Sequence, residues 1–287
     1  MRVYLSADME GVTGVVDTLD VSPGGPDYER GRAAMTEDVN AAVRAAIAVA
    51  PDAEILVNDA HGPMRNILLA QLHPAASLVR GKPKPMGMLD GLEPTHDAVV
   101  CIGFHSRAGT LGVLSHSFMG HEIEDMWLDD RPVGEIGLAH ATAAALGVPV
   151  VALSGDDTAC AEMAAWDQRV LTAAVKFARD RFAAELLPVG EAQTLIESTV
   201  TEALMNRQHA VAAGVSAAAA APAAGEPVTL AVRWQSASVA AQLLGIPGVT
   251  ARDARTVQAS GPMPGLYRLF NVFLRVATAL TSQPPYC

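Results

Sequence analysis

Asp8 and Glu10 stand two positions apart in "YLSADMEGVTG", just past the first apolar run of the chain. Three later apolar runs close in the same way. "NDAH" brings Asn58, Asp59 and His61, "GFHSR" brings His105 and Arg107, and "SGDD" brings Asp156 and Asp157. Carboxylates gathered without counter-charge repel one another, and burying them unpaired is costly. Imidazole nitrogens added to such a set make a donor group that suits zinc, and less selectively manganese or cobalt. A carboxylate that bridges two cations ~3.5–4 Å apart is the arrangement of two-metal hydrolases. The chemistry these residue types point to is hydrolysis at a dinuclear cation centre. The competing reading takes each residue singly: an Asp at a strand end caps a turn or a helix, and a lone histidine is a satisfied surface or core residue. No short regular motif such as HExxH arbitrates between them.

Two further residues stand near this set. His116, in "GVLSHSF", follows His105 by 11 positions in a glycine-containing loop. A histidine there can act as general acid or base, or steady an oxyanion; on pattern alone it reads as an ordinary loop histidine. Glu135, in "DDRPVGEIG", opens a predicted helix. Pattern alone gives it favourable interaction with the helix dipole rather than cation ligation. His73, His96, His121, His140 and His209 lack any such context and read as surface or packing residues.

The elements that must position these groups alternate strand and helix. Strands are predicted at "VYLSA" (3–7), "EILVND" (54–59), "AVVCIGF" (98–104) and "VPVVALSG" (148–155). Their continuous apolar character fits strands covered on both faces by helices, so the fold class expected is α/β with a mostly parallel sheet. In such a sheet ligands bind beyond the carboxyl ends of the strands, where the acids and histidines lie. Residues i and i+2 of a strand share a face, ~6.6 Å apart, which would put Asp8 and Glu10 on one side. "TEDVNAAVRAAIAVA" predicts a helix with Thr36 as N-cap, and "VGEIGLAHATAAALG" (133–147) a helix closed by Gly147. From about residue 187 the texture changes. "EAQTLIESTVTEALMN" and "LYRLFNVFLRVATAL" predict amphipathic helices, "PVTLAVRW" a strand, and the alanine-rich stretch 210–225 a linker. The expected organisation is a catalytic α/β domain over 1–186 and a smaller α+β subdomain over 187–287.

The 287 residues are 50% hydrophobic and 18% charged, enough apolar material for a sizeable core. A net charge of −11 argues against nucleic acid as partner. Cys101, Cys160 and Cys287, with no CxxC, give neither a disulfide framework nor a thiolate zinc site, and Cys101 reads as a buried thiol. No signal peptide and no transmembrane run is legible, so a soluble cytoplasmic protein is expected.

The segments "YLSADMEGVTG", "YERGRAAMTEDVN", "VNDAHGPMRN", "GFHSRAGTLGVLSHS", "DDRPVGEIG", "SGDD" and "TAAVK" run in order across residues 1–180. On these the sequence resembles the zinc-dependent D-aminopeptidases, bacterial self-compartmentalising metallopeptidases. The resemblance implies two zinc ions per subunit, with Asp8, Glu10, His61, His105 and Glu135 as ligands and His116 as the catalytic histidine. It also implies a decameric assembly with active sites facing an internal channel, and short peptides as substrates. It reverses the pattern-only readings of Glu135 and His116. The alanine-rich stretch departs from it. Two rival classes are a metallophosphoesterase and a non-catalytic peptide or metal carrier. The first usually opens Asp-x-His and carries a later Gly-Asn-His, whereas this chain opens Asp-x-Glu and has no Gly-Asn-His.

Overall fold

A computed structural model describes residues 1–213 and 225–281. Cys287 and most of the alanine-rich stretch lie outside the described residues. The strands are β1 (Arg2–Ala7), β2 (Glu54–Asp59), β3 (Ala76–Val79), β4 (Ala98–Phe104), β5 (Ile123–Leu128), β6 (Arg131–Pro132), β7 (Val150–Asp156), β8 (Leu171–Asp180), β9 (Ala183–Leu186), β10 (Pro227–Trp234), β11 (Thr250–Ala251) and β12 (Thr256–Pro262). The helices are α1 (Thr18–Val21), α2 (Tyr28–Val49), α3 (Glu135–Ala145), α4 (Asp157–Trp166), α5 (Val189–Ala212), α6 (Ala237–Leu243) and α7 (Met263–Thr281).

The main sheet runs β3-β2-β1-β4-β7-β8-β9 and is parallel except for its last pair. Both faces are covered, as the apolar runs require. Val3, Leu5 and Ala7 of β1 and Ala98, Val100 and Ile102 of β4 pack with α2 and α5 on one face. The alternate residues Tyr4, Val99 and Cys101, with Phe104 past a register irregularity in β4, face a second core shared with α3, α4 and α7. A second sheet, antiparallel in order β11-β12-β10-β5-β6, completes that core. α7 turns Met263, Leu266, Tyr267, Phe270 and Phe273 inward at helical spacing. Cys101 and Cys160 are free and buried. No described helix is long and apolar enough to cross a membrane.

One sequence expectation, the helix cap at Thr36, meets a different outcome, and two further features were not predicted. Thr36 does not cap a helix. α2 begins at Tyr28, and the Thr36 hydroxyl donates to the Arg32 carbonyl within it at 2.8 Å. The strand β5, whose apolar residues are interrupted by Glu124 and Asp125, finds its partner β10 a hundred residues away and has no counterpart among the strands predicted. The texture change near 187 falls between β9 and α5. The second sheet nevertheless draws strands from both sides of that point, and α5 packs on α2 in the first layer.

The chain order reverses across β1 and β4: β2 and β3 lie to one side of β1, while β4 and β7 lie to the other. Such a switch point opens a crevice beyond the strand ends. Asp8 follows β1 and His105 follows β4, so both sit at its floor.

Candidate metal centre

Asp8 and Glu10 do not share a strand face. β1 ends at Ala7, and residues 8–11 form a tight turn laid against the end of β4. The Asp8 amide donates to the Ile102 carbonyl and the Gly11 amide to the Gly103 carbonyl, each at 2.8 Å. This approach needs two glycines. A Cβ on Gly11 would overlap the Phe104 carbonyl, and a Cβ on Gly103 would press on the Asp8 carbonyl. Gly103 also sits at φ 69°, in the left-handed region that side chains disfavour. The turn points Asp8 and Glu10 at His61, from the loop after β2, and at His105.

His61 Nδ1 lies 3.0 Å from Glu10 Oε2 and 3.3 Å from Asp8 Oδ1. His105 Nε2 lies 3.4 Å from Glu135 Oε1 and 3.6 Å from Asp8 Oδ2. His116 stacks on His105 with ring centroids 4.2 Å apart, its Nε2 3.9 Å from Glu10 and 4.0 Å from Glu135. Glu135 opens α3 and accepts the Phe118 amide at 2.6 Å. The donors fall into three overlapping triplets, Asp8–Glu10–His61, Asp8–His105–Glu135 and Glu10–His105–His116, the donor atoms of each within 4.8 Å of one another. Asp8 belongs to the first two.

Each of the three imidazoles is oriented from behind by a backbone carbonyl. His61 Nε2 meets Val21 O at 2.9 Å, His105 Nδ1 meets Ser106 O at 3.0 Å, and His116 Nδ1 meets Leu114 O at 2.8 Å. A carbonyl only accepts, so the proton of each neutral ring resides on that nitrogen. The lone pair of the other nitrogen then faces the carboxylates. This is how histidines that ligate metals are held.

The electrostatics suit a cation. Burial, then the neighbouring Glu10, push the Asp8 carboxyl up to about 7. Burial opposes ionisation of Glu10 too, but the charges of His61, His105 and His116 hold it well below the carboxylate range. Burial works against the charged forms of His61 and His105, yet the surrounding acids raise both well above an ordinary histidine. His116 moves the other way, lowered by burial and by His105. Asp8 Oδ2 and His105 Nε2 are buried without a hydrogen-bond partner among the described residues. Leaving such atoms unmatched costs ~1–3 kcal/mol each. Divalent cations among three carboxylates and facing lone pairs would satisfy both atoms, so the donor set fits the group the sequence implies.

Residues 1–272 match the family model of M55 peptidases, described as D-aminopeptidase. The chain belongs to this D-aminopeptidase family. Within the family, the D-aminopeptidase of Bacillus subtilis (strain 168) is 40% identical over 207 residues, 72% of this chain and 75% of that protein. The solved structure of the Zn-dependent D-aminopeptidase DppA from Bacillus subtilis, described as a self-compartmentalizing protease, matches with a TM-score of 0.90. It is 33% identical, with 100% of both chains covered.

This D-aminopeptidase family member brings the five expected ligands and His116 together, and leaves other strand-end residues elsewhere. Asp59 spends its carboxylate on the Asn66 and Ile67 amides and the Asn66 side chain. Asp156 caps α4 through the Ala159 amide and also accepts from Val113. Asp157 accepts the Ala178 amide, Asn58 receives Lys84 Nζ, and Arg107 turns towards Asp125. These are the capping and turn roles that the competing reading described. Among the remaining histidines, His140 is buried against Asp167, and His96 packs edge-on to Tyr4.

Lys176 is the residue that sequence reasoning passed over, although an ammonium inside the apolar strand "TAAVK" is itself a signal. It is fully buried in β8 and donates to the carbonyls of Glu10, Val12 and Val15, at 2.6, 2.9 and 2.5 Å. Its three protons thus hold the turn that carries Glu10. Replacement by Met leaves those carbonyls unmatched and should lower stability on the order of 3 kcal/mol. That corresponds to ~6–12 °C in Tm, with weaker retention of divalent cations. Thermal melts with and without added cation measure both, and a melt unchanged from wild type would remove Lys176 from this role.

Above the six donors the crevice widens into a cavity of about 560 Å³. Met88, Phe118 and Met119 give it apolar walls, and α7 closes one side with Asn271, Leu274, Arg275 and Thr278.

Proposed function

We propose that this family member is an aminopeptidase that holds two zinc ions and removes N-terminal D-residues from short peptides. The observation that carries the proposal is the shared Asp8. One buried carboxylate faces His61 through one oxygen and His105 through the other, so two triplets meet on a single side chain. Asp8, Glu10 and His61 would hold one ion, and Asp8, His105 and Glu135 the other. When bound, such ions supply Lewis acidity, which polarises a carbonyl and acidifies a water.

The chain's own groups do the rest. The carbonyls behind His61 and His105 fix the ring planes, so the lone pairs are aimed before any ligand arrives. His116 is tied by Nδ1–H to Leu114 and keeps Nε2 open towards the cluster. It takes at Nε2 the proton given up by the attacking water, delivers it to the leaving amine as the C–N bond breaks, and in its protonated form steadies the oxyanion in between. The cavity encloses a few residues of an extended peptide and excludes a folded chain.

Two finer features extend the reading. The self-compartmentalizing description of DppA supports an assembly of several copies, for which a decamer is proposed. The described cysteines are free and buried, in keeping with a cytoplasmic protein.

The test joins metal analysis to cleavage. The purified chain should carry close to two zinc ions per subunit and cleave D-alanyl p-nitroanilide. Prolonged chelation should abolish cleavage and lower Tm, and added zinc should restore both. A protein that is metal-free as purified and indifferent to zinc in melting and cleavage would refute the proposal, and turnover of p-nitrophenyl phosphate alone would point to the phosphoesterase rival.

A further inference from the structure

We propose that Lys82 and Arg275 form a carboxylate subsite at the mouth of the cavity, one that takes the free C-terminus of a short peptide. The inference rests on the aminopeptidase reading and adds to it the other end of the substrate.

Charge is segregated along this cavity. The carboxylates that line it are Asp8, Glu10 and Glu135, all of them in the donor cluster at its floor. The cations at its exposed rim are Lys82, from the loop after β3, and Arg275, from α7 on the facing wall. The chain carries 31 acidic against 20 basic residues, and many of its arginines lie within 4 Å of a carboxylate. Lys82 and Arg275 have no such carboxylate among the described residues. Arg275 is also held in place: its Nη2 donates to the Lys84 carbonyl at 3.0 Å, and Lys84 is itself buried and bonded to Asn58 and Asp59. That bond uses one edge of the guanidinium. The remaining donors form a planar fork that matches the two oxygens of a carboxylate.

A peptide with its amine at the floor and its carboxylate at the mouth meets complementary charge at both ends. An amidated or longer peptide does not. The subsite therefore selects for unblocked short peptides, and its effect falls on binding rather than on the chemical step.

The zinc-loaded full chain is assayed on D-alanyl-D-alanine and on its C-terminal amide. The wild type should favour the free acid by ~10-fold or more in kcat/KM. In Lys82→Ala, and separately in Arg275→Gln, that preference should fall to below ~3-fold, mainly through a higher KM for the acid. Lys82 is exposed, so its replacement leaves packing intact. Gln at 275 keeps a donor for the Lys84 carbonyl, and melting curves check both proteins. A wild-type preference near one, or a preference that survives in both variants, overturns the subsite and leaves the aminopeptidase reading standing. Failure of the zinc-loaded wild type to cleave either compound overturns both.

Discussion

His116→Ala is expected to keep its full complement of zinc while kcat falls ~10²–10⁴-fold. The structure separates His116 from the other imidazoles on two grounds. Its side chain is the most exposed of the three, 18% against 11% for His61 and 1% for His105. Its Nε2 stands 3.9–4.0 Å from Glu10 and Glu135, farther than the nearest carboxylate contacts of His61 and His105. Losing a proton carrier at that place costs rate and spares the donors beneath it. Metal analysis and steady-state kinetics on the same preparation decide the matter. Loss of one ion in parallel with activity would instead make His116 a ligand of the third triplet.

Asp8→Asn should have a larger and different effect: both ions lost and no measurable turnover. Glu135→Gln, by contrast, leaves the Asp8–Glu10–His61 triplet complete and should retain one ion. The melting behaviour gives an independent readout. Saturating zinc at ~1,000 times its dissociation constant stabilises the wild type by about 4 kcal/mol for each site filled, or ~8–16 °C in Tm per ion. The Asp8→Asn protein should gain almost none of this. In chelator the two proteins should melt within ~5 °C of each other. The reason lies in the Asp8 carboxyl, which burial and Glu10 push up to about 7: without a cation its anion works against the fold, so a neutral amide in its place costs nothing on that count. Two ions bound tightly by Asp8→Asn would show that Asp8 is not the shared ligand.

Much of the frame was legible because its strands are short, apolar and bounded by turn residues. "EILVND", "AVVCIGF" and "PVTLAVRW" coincide with β2, β4 and β10. Gly147, at φ 79°, lies just beyond α3. β5 stayed hidden, since Glu124 and Asp125 interrupt its apolar residues and its pairing partner lies far along the chain. The start of α2 was misplaced for a chemical reason: a Thr at a helix start and a Thr bonding back inside a helix look alike in sequence.

In the centre, Asp8, Glu10, His61 and His105 announced themselves as polar residues ending apolar runs. Asp59, Asp156 and Asp157 announced themselves equally well, and only the amides they accept tell them apart. Glu135 and His116 carried no distinguishing pattern and were reached by resemblance. The α7 wall of the cavity was illegible, because an amphipathic helix reads the same whatever its polar side borders.

The glycines at 11 and 103 have a lasting consequence for the history of such a chain. They set the spacing of the centre by peptide groups in direct contact, with no side chain between to lengthen or shorten. Drift elsewhere in the molecule cannot easily retune the chemistry. The walls built by Phe118, Met119 and α7 are under no such gauge. Descendants of this sequence are free to exchange one diet for another while the hydrolytic engine stays as it is.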